Sequence, residues 1–234
     1  MINYAALIPA YNAEKTISDL VSQLLSINQP PENIIIVDDG SRDNTAQICE
    51  NQNIRLIRNV ENRGKGYVLK VGFKAFLEDK STYYLLCLDA DLQHPVSSVP
   101  DFLKIAEEKN SKFVLGVRKN RLKSMPGHRV LSNVLTSYII SWFTGQHIKD
   151  SQCGFRLIHK DVLKKIKLTE NGYQLESEML LESAKKGFLI DWVSIPTIYN
   201  EEKSYIGHFS DTFRFTRLMF RELKGRMRWS TKSE

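Results

Sequence analysis

The 234-residue sequence is poor in cysteine and holds no long apolar run. Its three cysteines, Cys49, Cys87 and Cys153, are an odd number with no close pair. A disulfide framework is therefore excluded, and a reducing compartment is expected. The longest apolar stretch, Val134 to Phe143, already contains Thr136, Ser137 and Ser141, whereas a spanning helix needs roughly 20 mostly apolar residues. No signal-peptide pattern opens the chain, because Asn3, Asn12, Glu14 and Lys15 interrupt any apolar core. A cytoplasmic protein is the expectation. Internal repeats, low-complexity tracts and linkers rich in Gly, Ser or Pro are also missing, which leaves one continuous domain with a tail. The P-loop pattern and G-x-G-x-x-G are absent too, so two common nucleotide folds lack support.

What is present is ordinary for a globular chain: 42% apolar and 26% charged residues. The net charge of +6 is unevenly placed. Residues 209–234 carry seven basic side chains against three acidic ones, a surplus of four. Such a surplus serves nucleic acid, anionic lipid or solubility. No nucleic-acid motif accompanies it, so nucleic acid is not an expected partner.

Two periods alternate over the first 120 residues. Apolar runs at Tyr4–Ile8, Ile34–Val37, Ile54–Ile57, Tyr83–Leu88 and Phe113–Val117 read as buried strands. Between them, Ile17, Leu20, Val21, Leu24 and Leu25 have helical spacing, as do Val68, Val71, Gly72, Ala75 and Phe76. A further helix is predicted from Val99 to Glu108. This order implies an α/β fold with a mostly parallel sheet flanked by helices. Further on, Val130–Phe143 reads as a helix with Val134, Tyr138 and Ile139 toward the core. Phe155–Ile158 reads as a strand, and Leu175–Lys185 as a helix ended by Gly187. Leu189–Ile195 and Pro196–Tyr199 read as strand or extended chain. In the tail, Phe209, Phe213, Thr216, Phe220, Leu223 and Met227 fall at three- and four-residue steps. Arg214, Arg217, Arg221, Lys224 and Arg228 lie largely off that stripe. This predicts a basic amphipathic helix that either packs on the domain or brings 209–229 to an anionic membrane surface.

In an open parallel sheet, ligands bind beyond the carboxyl ends of the strands. There the chain is polar. Asp89 and Asp91 stand two apart after the fourth run, with Gln93 continuing the spacing. In extended chain such residues face one way, and two like carboxylates suit Mg²⁺ or Mn²⁺. A solvated turn that caps the next helix is the alternative. Asp38 and Asp39 follow the second run, either as a βα turn with Gly40 or as acceptors for ribose hydroxyls or a base N–H. Asn62-Arg63-Gly64-Lys65-Gly66 opens a helix with two glycines that allow close approach to a ligand.

Five motifs occur in order: Pro9-x-Tyr11-Asn12, Asp38-Asp39-Gly40-Ser41-x-Asp43-x-Thr45, Asn62-x-Gly64-Lys65-Gly66, Asp89-Ala90-Asp91-Leu92-Gln93-His94-Pro95 and Gln152-Cys153-Gly154-Phe155-Arg156. Together they resemble the inverting family-2 glycosyltransferases of GT-A fold, above all the dolichyl-phosphate mannosyltransferases and other polyprenyl-phosphate glycosyltransferases. The resemblance covers about residues 2–200. It implies a GT-A domain over 1–208, with a nucleotide half (1–119) and an acceptor half (120–208), then the basic helix of 209–234. It implies donor contacts at Pro9, Tyr11, Glu14, Asp38, Asp39, Lys65 and Asp89. It implies a divalent metal, Mg²⁺ or Mn²⁺, on Asp89, Asp91 and Gln93. Arg118 and Arg129 resemble arginines that hold an acceptor phosphate, although solvated surface is their other reading. Gln152, Gly154 and Arg156 resemble the loop lining the sugar, and Glu178 lies on the helix after it, with a carboxylate satisfied by a neighbouring arginine as its other reading. The implied reaction is transfer from a GDP- or UDP-sugar to a lipid phosphate, which needs no general base. Transfer to a glycan or protein hydroxyl would need one, with Asp150, Glu176 and Glu178 as candidates. A non-catalytic nucleotide-sugar or membrane-surface module is the alternative of another class. One departure stands out. The basic pattern usual after the last strand is replaced by Asn200-Glu201-Glu202-Lys203-Ser204-Tyr205, in which Lys203 stands in for the basic group.

Overall fold

The computed structural model describes residues 2–52, 54–119, 127–198 and 213–223. Seven strands form one sheet: β1 (Tyr4–Ala10), β2 (Ile34–Asp38), β3 (Arg55–Arg58), β4 (Tyr84–Cys87), β5 (Phe113–Arg118), β6 (Arg156–His159) and β7 (Asp191–Ile195). Their order is β3-β2-β1-β4-β6-β5-β7. β1, β2, β3 and β4 run parallel, with Ile8 opposite Ile36 and Ala6 opposite Leu86. β6 lies antiparallel between β4 and β5, and β7 is parallel to β5. The helices are α1 (Ile17–Ser26), α2 (Thr45–Glu50), α3 (Lys65–Glu78), α4 (Val99–Glu108), α5 (Gly127–Thr144), α6 (Lys160–Lys165) and α7 (Leu175–Lys185). α8 covers 213–223.

The predicted strands and helices of the first half are present within a residue or two. β2 shows why: Ile34, Ile35, Ile36 and Val37 are all buried, and branched side chains fit a sheet covered on both faces. Each such burial stabilises by about 2 kcal/mol. One core joins both halves, from Tyr4 to Leu218.

One helix faces otherwise than its spacing suggested, and the last helix turns its predicted apolar stripe outward. In α5, Val134 and Tyr138 are exposed and Ile139 is only half-buried, while Asn133, Thr136, Ser137 and Ile140 point inward. The reason is polar. Ser137 Oγ meets Ser151 Oγ at 3.1 Å and accepts from Ser151 N at 2.9 Å, and Thr136 Oγ1 accepts from Gln152 Nε2 at 3.2 Å. These bonds to the 150–154 loop outweigh the apolar stripe. In α8, Phe213, Thr216, Phe220 and Leu223 are exposed, and Leu218 and Glu222 are buried. Arg221 instead reaches Glu170 at 2.9 Å and Glu178 at 2.7 Å. Arg221, with Arg217 3.6 Å from Glu170, thus neutralises buried carboxylates of its own chain. Phe209 and Met227, also assigned to that stripe, lie outside the described residues.

Candidate active site

The site grows from the carboxyl ends of β1, β2 and β4. The loops after β1 and β2 are sewn together. Asn12 N donates to Ser41 Oγ and Ala13 N to Thr45 Oγ1, each at 2.8 Å. Glu14 Oε2 accepts from both Asn44 N and Asn44 Nδ2 at 3.1 Å. Asp39 is buried and caps the next loop, accepting from Asn59 Nδ2, Arg63 N and Gly64 N at 2.8–2.9 Å. Asp38 accepts from Ser41 N at 3.1 Å, and its second oxygen lies 3.4 Å from Arg58 Nε. The two aspartates thus hold the loops around a cleft of about 500 Å³, lined by Tyr11, Ser41, Arg42, Arg58, Asn59 and Glu61 among others, but are not themselves among its lining residues. Pro9 sits deeper, beside Lys65 and Asp89.

The glycines of the Asn62–Gly66 motif serve a different neighbour from the ligand expected. A Cβ on Gly66 would lie 2.6 Å from Asn171 C, and one on Gly64 would lie 3.2 Å from Asn171 O. Tyr67 N donates to that same carbonyl at 3.0 Å. Segment 169–174 presses on the start of α3, and this close approach needs glycine.

β4 ends at Cys87, so Asp89 and Asp91 stand in a turn and not in extended chain. Leu92 adopts φ 60° to make it. The same-side argument of the sequence does not apply there, and each residue is held by bonds of its own. Asp91 Oδ1 accepts from Gln93 N at 3.0 Å. Asp89 N donates to His94 Nδ1 at 2.9 Å. Gly154 opens room at Asp89, since a Cβ there would lie 2.9 Å from Asp89 Oδ2. Two carboxylates and an amide oxygen are a hard donor set of the kind Mg²⁺ and Mn²⁺ take when phosphate completes the shell, so these residues fit such an ion.

Behind Asp89 runs a line of alternating charge. Lys65 Nζ lies 2.6 Å from Asp89 Oδ1 and 2.8 Å from Glu176 Oε1. Glu176 Oε2 lies 3.7 Å from Arg156 Nη2. Arg156 is fully buried and donates to the carbonyls of Cys153, Ser151 and Glu176 at 2.7–2.9 Å. Burial works to raise the Asp89 carboxyl, but Lys65 and His94 carry it down to about 2. Burial pushes His94 down to about 4 against the pull of Asp89.

His94 therefore binds its proton less readily folded than unfolded, and its contribution is present above pH ~6.5. That contribution is lost as pH falls toward 4. Urea titrations should show about 2 kcal/mol less stability at pH 5 than at pH 7 from this residue. His94→Gln should remove that part of the slope, and an unchanged slope would contradict it.

On the acceptor side, Arg118 closes β5 and forks onto Asp150, Nε to Oδ2 at 2.8 Å and Nη2 to Oδ1 at 2.9 Å. Asp150 is fully buried. Glu178 is 1% exposed and accepts from Thr169 N, Thr169 Oγ1, Glu170 N and Arg221 Nη2 at 2.6–2.9 Å. Glu178 thus anchors the loop and α8 as a carboxylate satisfied by an arginine, the second of its two readings, and not as a substrate contact. All three candidate bases, Asp150, Glu176 and Glu178, are committed to cations. Gln152 is exposed and tied to α5. Arg129 falls in the first turn of α5, but its side chain lies outside the described residues, as does Lys203. The pairing of Lys65 with Glu176 and the role of His94 were missed in the sequence; only the position of His94 within the Asp89–Pro95 motif could have signalled it.

Known proteins supply the comparison. Residues 5–167 match the family described as Glycosyl transferase family 2. An uncharacterized protein of Methanocaldococcus jannaschii is 36% identical over 215 residues, 86% of this chain and 91% of that one. The UDP-N-acetylglucosamine--dolichyl-phosphate N-acetylglucosaminyltransferase of Methanococcus voltae is 32% identical over 217 residues, 83% of this chain and 85% of that one. Glucosyl-3-phosphoglycerate synthase of Mycobacterium tuberculosis, solved with Mn²⁺, UDP and phosphoglyceric acid, shares the fold. Its TM-score is 0.73 at 16% identity, covering 96% of this chain and 78% of that one. A match over more than half of the sequence, on a sheet that ends in these carboxylates, leads to one conclusion: the chain belongs to glycosyl transferase family 2, as a glycosyltransferase of GT-A fold.

Proposed function

We propose that this glycosyltransferase moves a sugar from a nucleoside-diphosphate sugar to a polyprenyl phosphate. The observation that carries this is the commitment of the buried Asp150, Glu176 and Glu178 to cations. A hydroxyl acceptor needs a carboxylate to take its proton. A lipid phosphate is already anionic at neutral pH and needs none. The relative from Methanococcus voltae, named for a UDP-sugar and a dolichyl phosphate, supports the same pairing.

The residues divide the work. The cleft of Tyr11, Ser41 and Arg58 takes the nucleoside. Asp89, Asp91 and Gln93 would hold Mg²⁺ or Mn²⁺, which when bound offsets charge growing on the departing diphosphate. Arg118 offers five N–H donors, two of which serve Asp150. Asp150 thereby fixes the fork that meets the acceptor phosphate, a role the family resemblance also suggests for Arg129 and Lys203. Attack from the face opposite the diphosphate inverts the anomeric carbon.

A lipid acceptor calls for contact with a membrane, although no helix among the described residues is long and apolar enough to cross one. The outward face of α5 supplies a surface: Leu131, Leu135, Tyr138 and Trp142 are 56–72% exposed. Basic residues flank it in sequence, Lys119, Arg121, Lys123 and Arg129 before it and Lys149 after it. Aromatic and basic side chains together suit an anionic interface. Leu135→Glu with Trp142→Glu should weaken co-sedimentation with anionic vesicles about tenfold, at unchanged thermal midpoint, because each exposed apolar group adds of order 1 kcal/mol on insertion. Equal sedimentation would move the contact elsewhere. The reaction itself is tested with radiolabelled UDP- and GDP-sugars. Label should enter an organic-extractable, mild-acid-labile product, and label only in water-soluble saccharide would overturn the lipid acceptor.

A further inference from the structure

We propose that Lys65 and Glu176 set the metal affinity of the donor site, with Lys65 as the resident counter-cation of Asp89 and Glu176 as the residue that draws it away. The inference rests on the reading of Asp89, Asp91 and Gln93 as metal ligands. Lys65 Nζ stands between two carboxylates at nearly equal distances, 2.6 Å from Asp89 Oδ1 and 2.8 Å from Glu176 Oε1. An ammonium has three N–H donors and no acceptor, so it can shift its weight from one carboxylate to the other without moving α3. The helix start cannot move easily, because Gly64 and Gly66 are pressed against Asn171. Arg156 holds the far side of Glu176.

The charges decide the consequence. Asp89 and Glu176 are balanced by Lys65 and Arg156, so a metal ion arriving alone meets an Asp89 whose charge is already offset. Two positive charges competing for Asp89 at such separations oppose each other strongly in a partly buried site. A nucleoside diphosphate brings negative oxygens of its own, which relieve that competition. Metal alone therefore binds weakly, and metal with nucleotide binds well. Lys65 and Glu176 are positioning residues in this scheme, acting through Asp89.

The test is Mn²⁺ binding to the full-length protein, read from the electron paramagnetic resonance signal of free Mn²⁺, with and without UDP or GDP. Lys65→Met should bind Mn²⁺ alone about tenfold or more tightly than the wild type. It should also lose most of the gain that nucleotide gives. Glu176→Gln leaves Lys65 wholly to Asp89 and should bind Mn²⁺ alone several-fold more weakly. Lys112→Met, which removes the same charge from the remote Lys112–Asp161 pair, should shift neither value. Opposite shifts in the two site variants support the proposal, because loss of packing alone would move both the same way. Shifts of one sign, or none, overturn it. If Lys65→Met does not fold, Glu176→Gln decides alone, and unchanged or tighter Mn²⁺ binding there overturns the proposal. A wild type that gains Mn²⁺ affinity with nucleotide while its variants match it sinks this inference and leaves the metal-site reading standing. A wild type that takes up no Mn²⁺ with either nucleotide overturns both.

Discussion

Asp91→Ala is expected to lower sugar transfer about 10²–10³-fold, the scale on which loss of one transition-state stabiliser is felt. The fold should survive. Asp91 is only half-buried, so trimming it leaves the apolar core intact, while the metal role proposed for it would be lost with its carboxylate. Steady-state transfer and a thermal melt, run side by side, separate the two. Retained transfer would remove Asp91 from the metal site. Loss of transfer together with a large drop in melting temperature would make Asp91 a structural residue.

The second large effect is on stability. Asp150→Asn should destabilise the protein by about 3–5 kcal/mol, because it leaves a buried guanidinium without its counter-charge. Arg118 has 17% side-chain exposure and Asp150 none, and two short fork bonds join them. Transfer should fall as well, since Asp150 holds the arginine assigned to the acceptor phosphate. The order of effects distinguishes this from a proton acceptor. A general base replaced by asparagine would lose transfer at nearly unchanged stability. Urea unfolding of the variant measures the difference, and an unchanged midpoint would return Asp150 to the candidate bases.

Much of this was legible in the sequence for a physical reason. Buried parallel strands such as Ile34–Asp38 must be continuous apolar runs, and the polar residues that follow them must lie at one end of the sheet. By that logic Asp38, Asp39, Asp89 and Asp91 lie at one end of the sheet. What it could not reach were pairings across long separations. Lys65 and Glu176 come from opposite halves of the chain and meet only because segment 169–174 folds back on α3. Likewise β6 inserts antiparallel between β4 and β5, and no local pattern at Phe155–Ile158 encodes its direction. The α5 helix failed for another reason. Its apolar stripe is genuine, but Asn133, Thr136 and Ser137 turn inward to the 150–154 loop. A spacing argument assumes that apolar side chains face the core, and inward polar bonds reverse that assumption here.

The most direct test of the account pairs two acceptors that differ only in the phosphate. Purified protein, Mn²⁺ and a radiolabelled UDP- or GDP-sugar are offered a short-chain polyprenyl phosphate or the corresponding free polyprenol. With every candidate base engaged by a cation, label should pass to the polyprenyl phosphate and not to the alcohol. Equal or preferred transfer to the alcohol, or to a soluble saccharide, would contradict the account.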